Sequence, residues 1–205
     1  GPPTTGRLRE NMAAAGYKPE DINHVILSHY HGDHINGVRA KDGSLVYPNA
    51  KIHVPAPEHA FWMDDARMEA APLAMKGAFQ NVRRVLGSLP ADRLVQFQPG
   101  AELAPGIVSS AAFGHTPGMA VFTVTSEGQS FMYVADVTNI PSLFARSPEW
   151  AVQFDMDAET ARQTRRRIFD QVVKEKMVAG GFHFPFPAFG TLEAAGKGYQ
   201  FVPVA

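Results

Sequence analysis

The chain has 205 residues, 45% hydrophobic and 19% charged, with 19 basic side chains against 20 acidic ones and no cysteine. This is the balance of a folded protein with a sizeable core, and it offers no basic surface for nucleic acid or an anionic membrane. Disulfides, thiolate ligands and cysteine nucleophiles are excluded, no apolar stretch reaches membrane-spanning length, and localisation stays unassigned.

Residues 1–6 read as a loop. Leu8, Met12 and Ala15 recur at helical spacing, and Gly16 is a reasonable stop for that helix. A turn from Lys18 to Asn23 leads into a strand at His24–Ser28, whose Val25-Ile26-Leu27 run reads as buried. A short helix is predicted from Ile35 to Arg39. The turn Tyr47-Pro48-Asn49 precedes a strand over 51–54. Pro57 opens a helix carrying Phe61 and Trp62, and a longer helical stretch runs from about Met68 to Leu86. The pattern then changes to short β-rich runs at 94–97, 107–112, 119–125 and 131–135, with a hairpin at Ser126-Glu127-Gly128-Gln129.

Asp157 is a predicted N-cap for a helix reaching to about Met177, with Ile168, Phe169, Val172 and Val173 as its apolar stripe. Arg165-Arg166-Arg167 on that helix reads as a solvated face, Asp170 lying four residues after Arg166. A strand over 177–182 and a last one over 199–202 complete the chain. No repeat or linker interrupts it, so residues 1–205 are read as one α/β (α+β) domain with sheets covered by helices.

The most informative stretch is Ser28-His29-Tyr30-His31-Gly32-Asp33-His34, where the strand gives way to a loop. Side chains two apart in extended chain share a face, so His29 and His31 can converge on one ion. Gly32 permits a sharp turn that can carry Asp33 and His34 round to a second ion. Imidazole and carboxylate without thiolate suit zinc, manganese, iron or cobalt.

His-x-His-x-Asp-His after an apolar strand resembles the signature of the metallo-β-lactamase-fold hydrolases. Gly114-His115-Thr116-Pro117-Gly118, Asp136 at the end of an apolar run, and His183 in Gly180-Gly181-Phe182-His183-Phe184-Pro185 resemble the remaining motifs in the family's order. The resemblance implies a four-layer αβ/βα sandwich. It also implies two divalent ions, zinc first, one held by His29, His31 and His115 and the other by Asp33, His34 and His183, with Asp136 bridging. The chemistry implied is attack by a metal-bridging hydroxide, with Asp33 and Asp136 in the catalytic set and Asp33 also able to accept a proton. Family members normally begin with further strands, one ending in Asp-Thr-Gly. Those are missing here, so upstream residues are expected in the natural protein.

Asp136 argues against a β-lactamase, where cysteine or serine usually stands at that position. Ala14–Glu20, Tyr47–Ala50, Phe61-Trp62, Ala151–Asp155 and Gly196–Val204 are similar to methyl parathion hydrolase and its relatives. That branch implies a small neutral ester, lactone or organophosphate triester as substrate, with Phe61 and Trp62 lining its entrance and a homodimer allowed. Two other classes stay open: a mononuclear iron oxidoreductase of the persulfide dioxygenase kind, and a non-catalytic relic that keeps metal for stability. His24, His53 and His59 fall outside the pattern and are read as structural or exposed.

Overall fold

A computed structural model describes residues 6–204. In chain order it contains α1 (Leu8–Ala14), β1 (His24–Ile26), α2 (Gly32–Ile35), β2 (Lys51–Pro55), α3 (Ala56–Met63), α4 (Asp65–Ala70) and α5 (Leu73–Leu86). There follow β3 (Leu94–Phe97), β4 (Glu102–Ala104), β5 (Ile107–Ala111), β6 (Ala120–Ser126), β7 (Gln129–Tyr133), α6 (Pro141–Phe144), α7 (Ala158–Lys174), β8 (Val178–Gly180), β9 (Phe189–Ala195) and β10 (Gly198–Pro203). The loop expected at residues 1–6 lies outside the described residues except for Gly6.

The strands form two sheets. One is parallel, in the order β1-β2-β3; the other has seven strands in the order β10-β9-β8-β7-β6-β5-β4. Every pairing in the larger sheet is antiparallel except β7 with β8, and α7 lies in the connection between those two. A parallel pair needs such a crossover, because the chain must return to the starting edge before running forward again. The β6–β7 hairpin turns on Glu127 and Gly128, both with positive φ, and Ser126 pairs with Gln129 as the sequence predicts.

Three apolar clusters hold these layers. α5 presents Phe79, Val82, Val85 and Leu86 to Ile52, Val54, Leu27 and Trp62 on the side of the small sheet. At about 1.5–3 kcal/mol for each fully buried large side chain, these four contribute on the order of 10 kcal/mol before entropy is set against them. On the far side, α7 buries Ile168, Phe169 and Val172 against Met132, Val134, Ala179 and Leu192. Between the sheets, Phe97, Ala120 and Phe122 pack with Ile26, Ile107 and Tyr133.

Several predicted boundaries move. The long helix from Met68 breaks at Ala71-Pro72 into α4 and α5, because Pro72 has no amide to donate and sits as N-cap with extended ψ. The helix expected over Ile35–Arg39 begins earlier, at Gly32, and tightens to a single 3₁₀ turn over Asn36–Val38. Asp157 does cap α7, accepting from the Thr160 amide at 3.1 Å and its hydroxyl at 2.6 Å. The solvated face expected of Arg165-Arg166-Arg167 is wrong for Arg165, which is 1% exposed. Its side chain turns inward because buried carbonyls await it there: Nε donates to Val137 O at 2.7 Å and Nη1 to Pro148 O at 3.0 Å and to Trp150 O. Asp170 serves Tyr199, whose hydroxyl donates to it.

Candidate metal centre

The strand directions explain why residues far apart in the chain meet. β5, β7 and β8 run the same way, so the segments leaving their C-terminal ends emerge at one edge of the large sheet. Those segments carry His115, Asp136 and His183. The loop after β1 brings His29 to His34 to the same place, where Ser28 O accepts from the Ala120 amide at 2.9 Å.

Three overlapping donor sets result: His29, His31 and His115; His29, His34 and Asp136; and Asp33, His34 and His183. Within each, one ligating atom per residue lies within 4.8 Å of the others. His31 Nδ1 is 2.9 Å from His115 Nε2, and the rings of His29 and His34 have centroids 4.1 Å apart. Asp136 sits among them, with one oxygen 3.1 Å from His34 Nε2 and the other 3.3 and 3.4 Å from His183 Nε2 and His115 Nε2. All seven predicted ligand residues are thus brought together.

The turn presenting Asp136 is itself unusual. Ala135, fully buried, has φ of 47°, a left-handed conformation that costs a non-glycine residue free energy and is held here by its packing.

Burial strongly disfavours a charge on His29, whose pKa falls well below 6.5, and brings His31, which also faces His115, down to about 4. Burial also opposes charge on His34, but Asp136 and Asp33 outweigh it and raise His34 to about 8. The same two carboxylates raise His183 to about 10, while His183 and His34 hold Asp33 well below the carboxylate range. Asp136 is likewise depressed, its burial overcome by His183 and His34.

The donor chemistry fits divalent ions. Nε2 of His29 is buried and makes no hydrogen bond, and His34 Nε2 and Asp136 Oδ1 are buried with only their 3.1 Å contact to each other, a costly arrangement that a cation at their meeting point would relieve. His115 has the orientation of a ligand whose far nitrogen is fixed: Nδ1 donates to Asp155 at 2.9 Å, leaving Nε2 toward the site. Asp155 is closed to solvent and also accepts from the Val152 amide, with Arg165 Nη2 3.6 Å away. Neither Asp155 nor Arg165 is assigned a role by sequence reasoning, since their partners lie at loop positions without a pattern.

The aromatic pair lies differently. Trp62 is 1% exposed, packs against Phe79 with the rings tilted by 56° and meets the His31 ring edge-on at 6.4 Å, while half-buried Phe61 packs on Trp62 and under Arg67. Apolar space occurs elsewhere beside the centre: a cleft of about 260 Å³ next to His34 is walled by Ile26, Leu27, Ile107, Phe122, Val124 and Tyr133. The other histidines stay out of the site. His24 Nδ1 faces His53 Nε2 at 2.8 Å, and His59 Nδ1 faces the Tyr30 hydroxyl at 2.9 Å.

A family model described as the metallo-β-lactamase superfamily matches residues 1–179. The chain belongs to that superfamily. Among solved structures it is similar to the hydrolase AbOPH of the β-lactamase superfamily, at 29% identity and a TM-score of 0.90, over 98% of this chain and 70% of that one. AidC, a dizinc quorum-quenching lactonase solved with the product N-hexanoyl-L-homoserine, gives 29% identity and a TM-score of 0.89 over the same shares. A probable metal-dependent hydrolase from Staphylococcus aureus, at 20% identity, TM-score 0.72, 86% of this chain and 60% of that one, shares the fold. A comparison with curated proteins returns no match.

Proposed function

We propose that the chain is a binuclear metallohydrolase of small neutral esters, lactones or organophosphate triesters, built on the four-layer αβ/βα sandwich. The observation that carries the proposal is the chain of three donor sets, linked through His29 and His34, with Asp136 between the outer two. The first and third sets have no residue in common, and the second joins them through Asp136, a carboxylate with an oxygen for each side; two separate triads linked by a carboxylate suit a pair of neighbouring ions better than one. In this reading His29, His31 and His115 hold one ion and Asp33, His34 and His183 the other, with Asp136 reaching both. The dizinc lactonase neighbour supports zinc, with manganese, iron or cobalt as alternatives.

Divalent ions so held supply a hydroxide nucleophile near neutral pH and a Lewis acid for a carbonyl or phosphoryl oxygen. The chain's own residues do the rest. Asp33, with its side chain 50% exposed, is the most open member of the set and stands where it can take a proton from the substrate side. The apolar cleft beside His34 suits an uncharged acyl or aryl group. Trp62 acts as support behind His31, and Phe61 as support for Trp62, in place of the direct substrate wall expected of them.

The experiment is a substrate panel on protein reconstituted with zinc, manganese or cobalt: an aryl phosphotriester, an acyl-homoserine lactone, an aryl ester and a β-lactam. Two metals per chain with turnover of at least one of the first three is the expected result. One iron per chain, with oxygen consumed on a thiol substrate, would overturn it in favour of an oxidoreductase.

A further inference from the structure

The buried side chain that binds the site's two main loops to each other belongs to α3. Glu58 is wholly inaccessible, yet among the described residues no lysine or arginine pairs with it. Its Oε1 accepts from the Tyr30 amide at 3.0 Å and from the Trp62 indole N–H at 2.8 Å. Its Oε2 accepts from the Thr116 hydroxyl at 2.8 Å and from the Gly118 amide at 2.8 Å. Two bonds to each oxygen use the full acceptor capacity of a carboxylate, so Glu58 has no lone pair left for a metal or a substrate proton.

The four donors are not scattered. Tyr30 stands between His29 and His31, and Thr116 follows His115 directly. One carboxylate therefore joins the first ligand loop to the second, across 28 and 60 residues of chain. The second loop also lies against the α3 backbone there: a Cβ on Gly118 would stand 2.0 Å from the Glu58 nitrogen. Trp62, whose indole N–H is the fourth donor to Glu58, leans on His31.

We infer that Glu58 is a positioning residue that sets His115 against His29 and His31, and so builds the first of the two ion sites. The inference rests on the binuclear reading for its consequence, though not for its geometry. Glu58 acts on one donor set only, because the chain around Asp33, His34 and His183 gives it no hydrogen bond among the described residues.

Glu58→Gln separates the two arms. Tyr30 N–H and Trp62 N–H can only donate, whereas the Thr116 hydroxyl can turn and accept. The amide group therefore faces the Thr116–Gly118 arm, and the Gly118 amide loses its acceptor. In the metal-free variant, amide exchange followed by NMR should accelerate at Gly118 while Tyr30 stays protected. Titration with cobalt(II), read from its d–d absorption, should show one of the two affinities weakened about 10–100-fold and the other kept, as for other groups that orient a ligand. Thr116→Val, which removes one bond and no charge, should weaken the same affinity by about 2–10-fold and covers the case in which Glu58→Gln folds poorly. Unchanged exchange at Gly118, or equal weakening of both affinities, would overturn the inference. A wild-type chain that takes up no cobalt would overturn the binuclear reading instead, and Gly118 exchange would still decide whether Glu58 clamps the loops.

Discussion

Replacing Arg165 with methionine is the sharpest test of how the site is supported from behind. The guanidinium is 1% exposed and donates to the carbonyls of Val137, Pro148 and Trp150, while Asp155 lies 3.6 Å from Nη2. Methionine fills much of the same space but donates nothing. Two buried carbonyls and a partly buried one lose a donor at a net cost of about 1 kcal/mol each, and a carboxylate with no exposed surface loses its counter-charge. Breaking a buried pair from one side costs about 3–5 kcal/mol, a large share of the 5–15 kcal/mol that a domain typically has. For a chain of this size that corresponds to a fall in Tm of roughly 6–20 °C. Urea denaturation of the metal-free protein reads it directly. Val137 follows Asp136, and Asp155 holds His115, so metal affinity should fall in the same variant. A loss of stability below about 1 kcal/mol would refute the claim that this arginine is a buried structural cation.

The remaining predictions concern the centre itself. Asp136→Asn should weaken both metals together and remove most turnover, since one oxygen faces His34 and the other His115 and His183; two tightly bound metals with full activity would refute the bridging role. Gly118→Ala should give a protein that is insoluble or markedly destabilised in thermal melts, because the added Cβ meets α3 backbone at 2.0 Å, and backbone cannot rotate away. Metal uptake should be pH-dependent: without metal, His34 titrates at about 8 and His183 at about 10, so both carry protons at neutral pH that a ligated ion must displace. Affinity should therefore rise with pH through about 8 and on toward 10. For the metal-free fold the sign is opposite. Both pKa values are raised above the ordinary 6.5, so their stabilisation is fully present below about 6.5 and is lost as pH rises through 8 and then 10. Proton release on zinc binding at pH 7, followed in weakly buffered solution, and melts across the same range would check the two directions.

The convergence of His29 to His34 is legible because its geometry is local: a strand end, alternate histidines and a glycine leave few other arrangements. His115, Asp136 and His183 carry no such local signal, and only the resemblance assigns them, since their meeting depends on β5, β7 and β8 sharing a direction. Glu58, Asp155 and Arg165 are invisible for a related reason. A charged residue in a loop or on a helix looks solvated until the fold supplies partners, and theirs are carbonyls, amides and side chains distant in the sequence, which leave no local pattern. β9 escapes prediction because Gly190 and two alanines dilute its pattern; the glycine is needed where a Cβ would stand 2.2 Å from Val202 O. The break at Pro72, by contrast, is written in the residue itself, although helical spacing continues on either side of it.

The spread of the donors along the chain has a mechanical meaning. From His29 to His183 the chain runs through both sheets, and a cysteine-free sequence has no covalent tie to hold those two residues together. Ions shared among the donor sets would close that span as cross-links do. By the chain-entropy relation for a loop of roughly 150 residues, such a closure restricts the unfolded chain by an amount equivalent to about 5 kcal/mol. Such ions would then also rivet the two sheets, and stripping them would loosen the join between those layers.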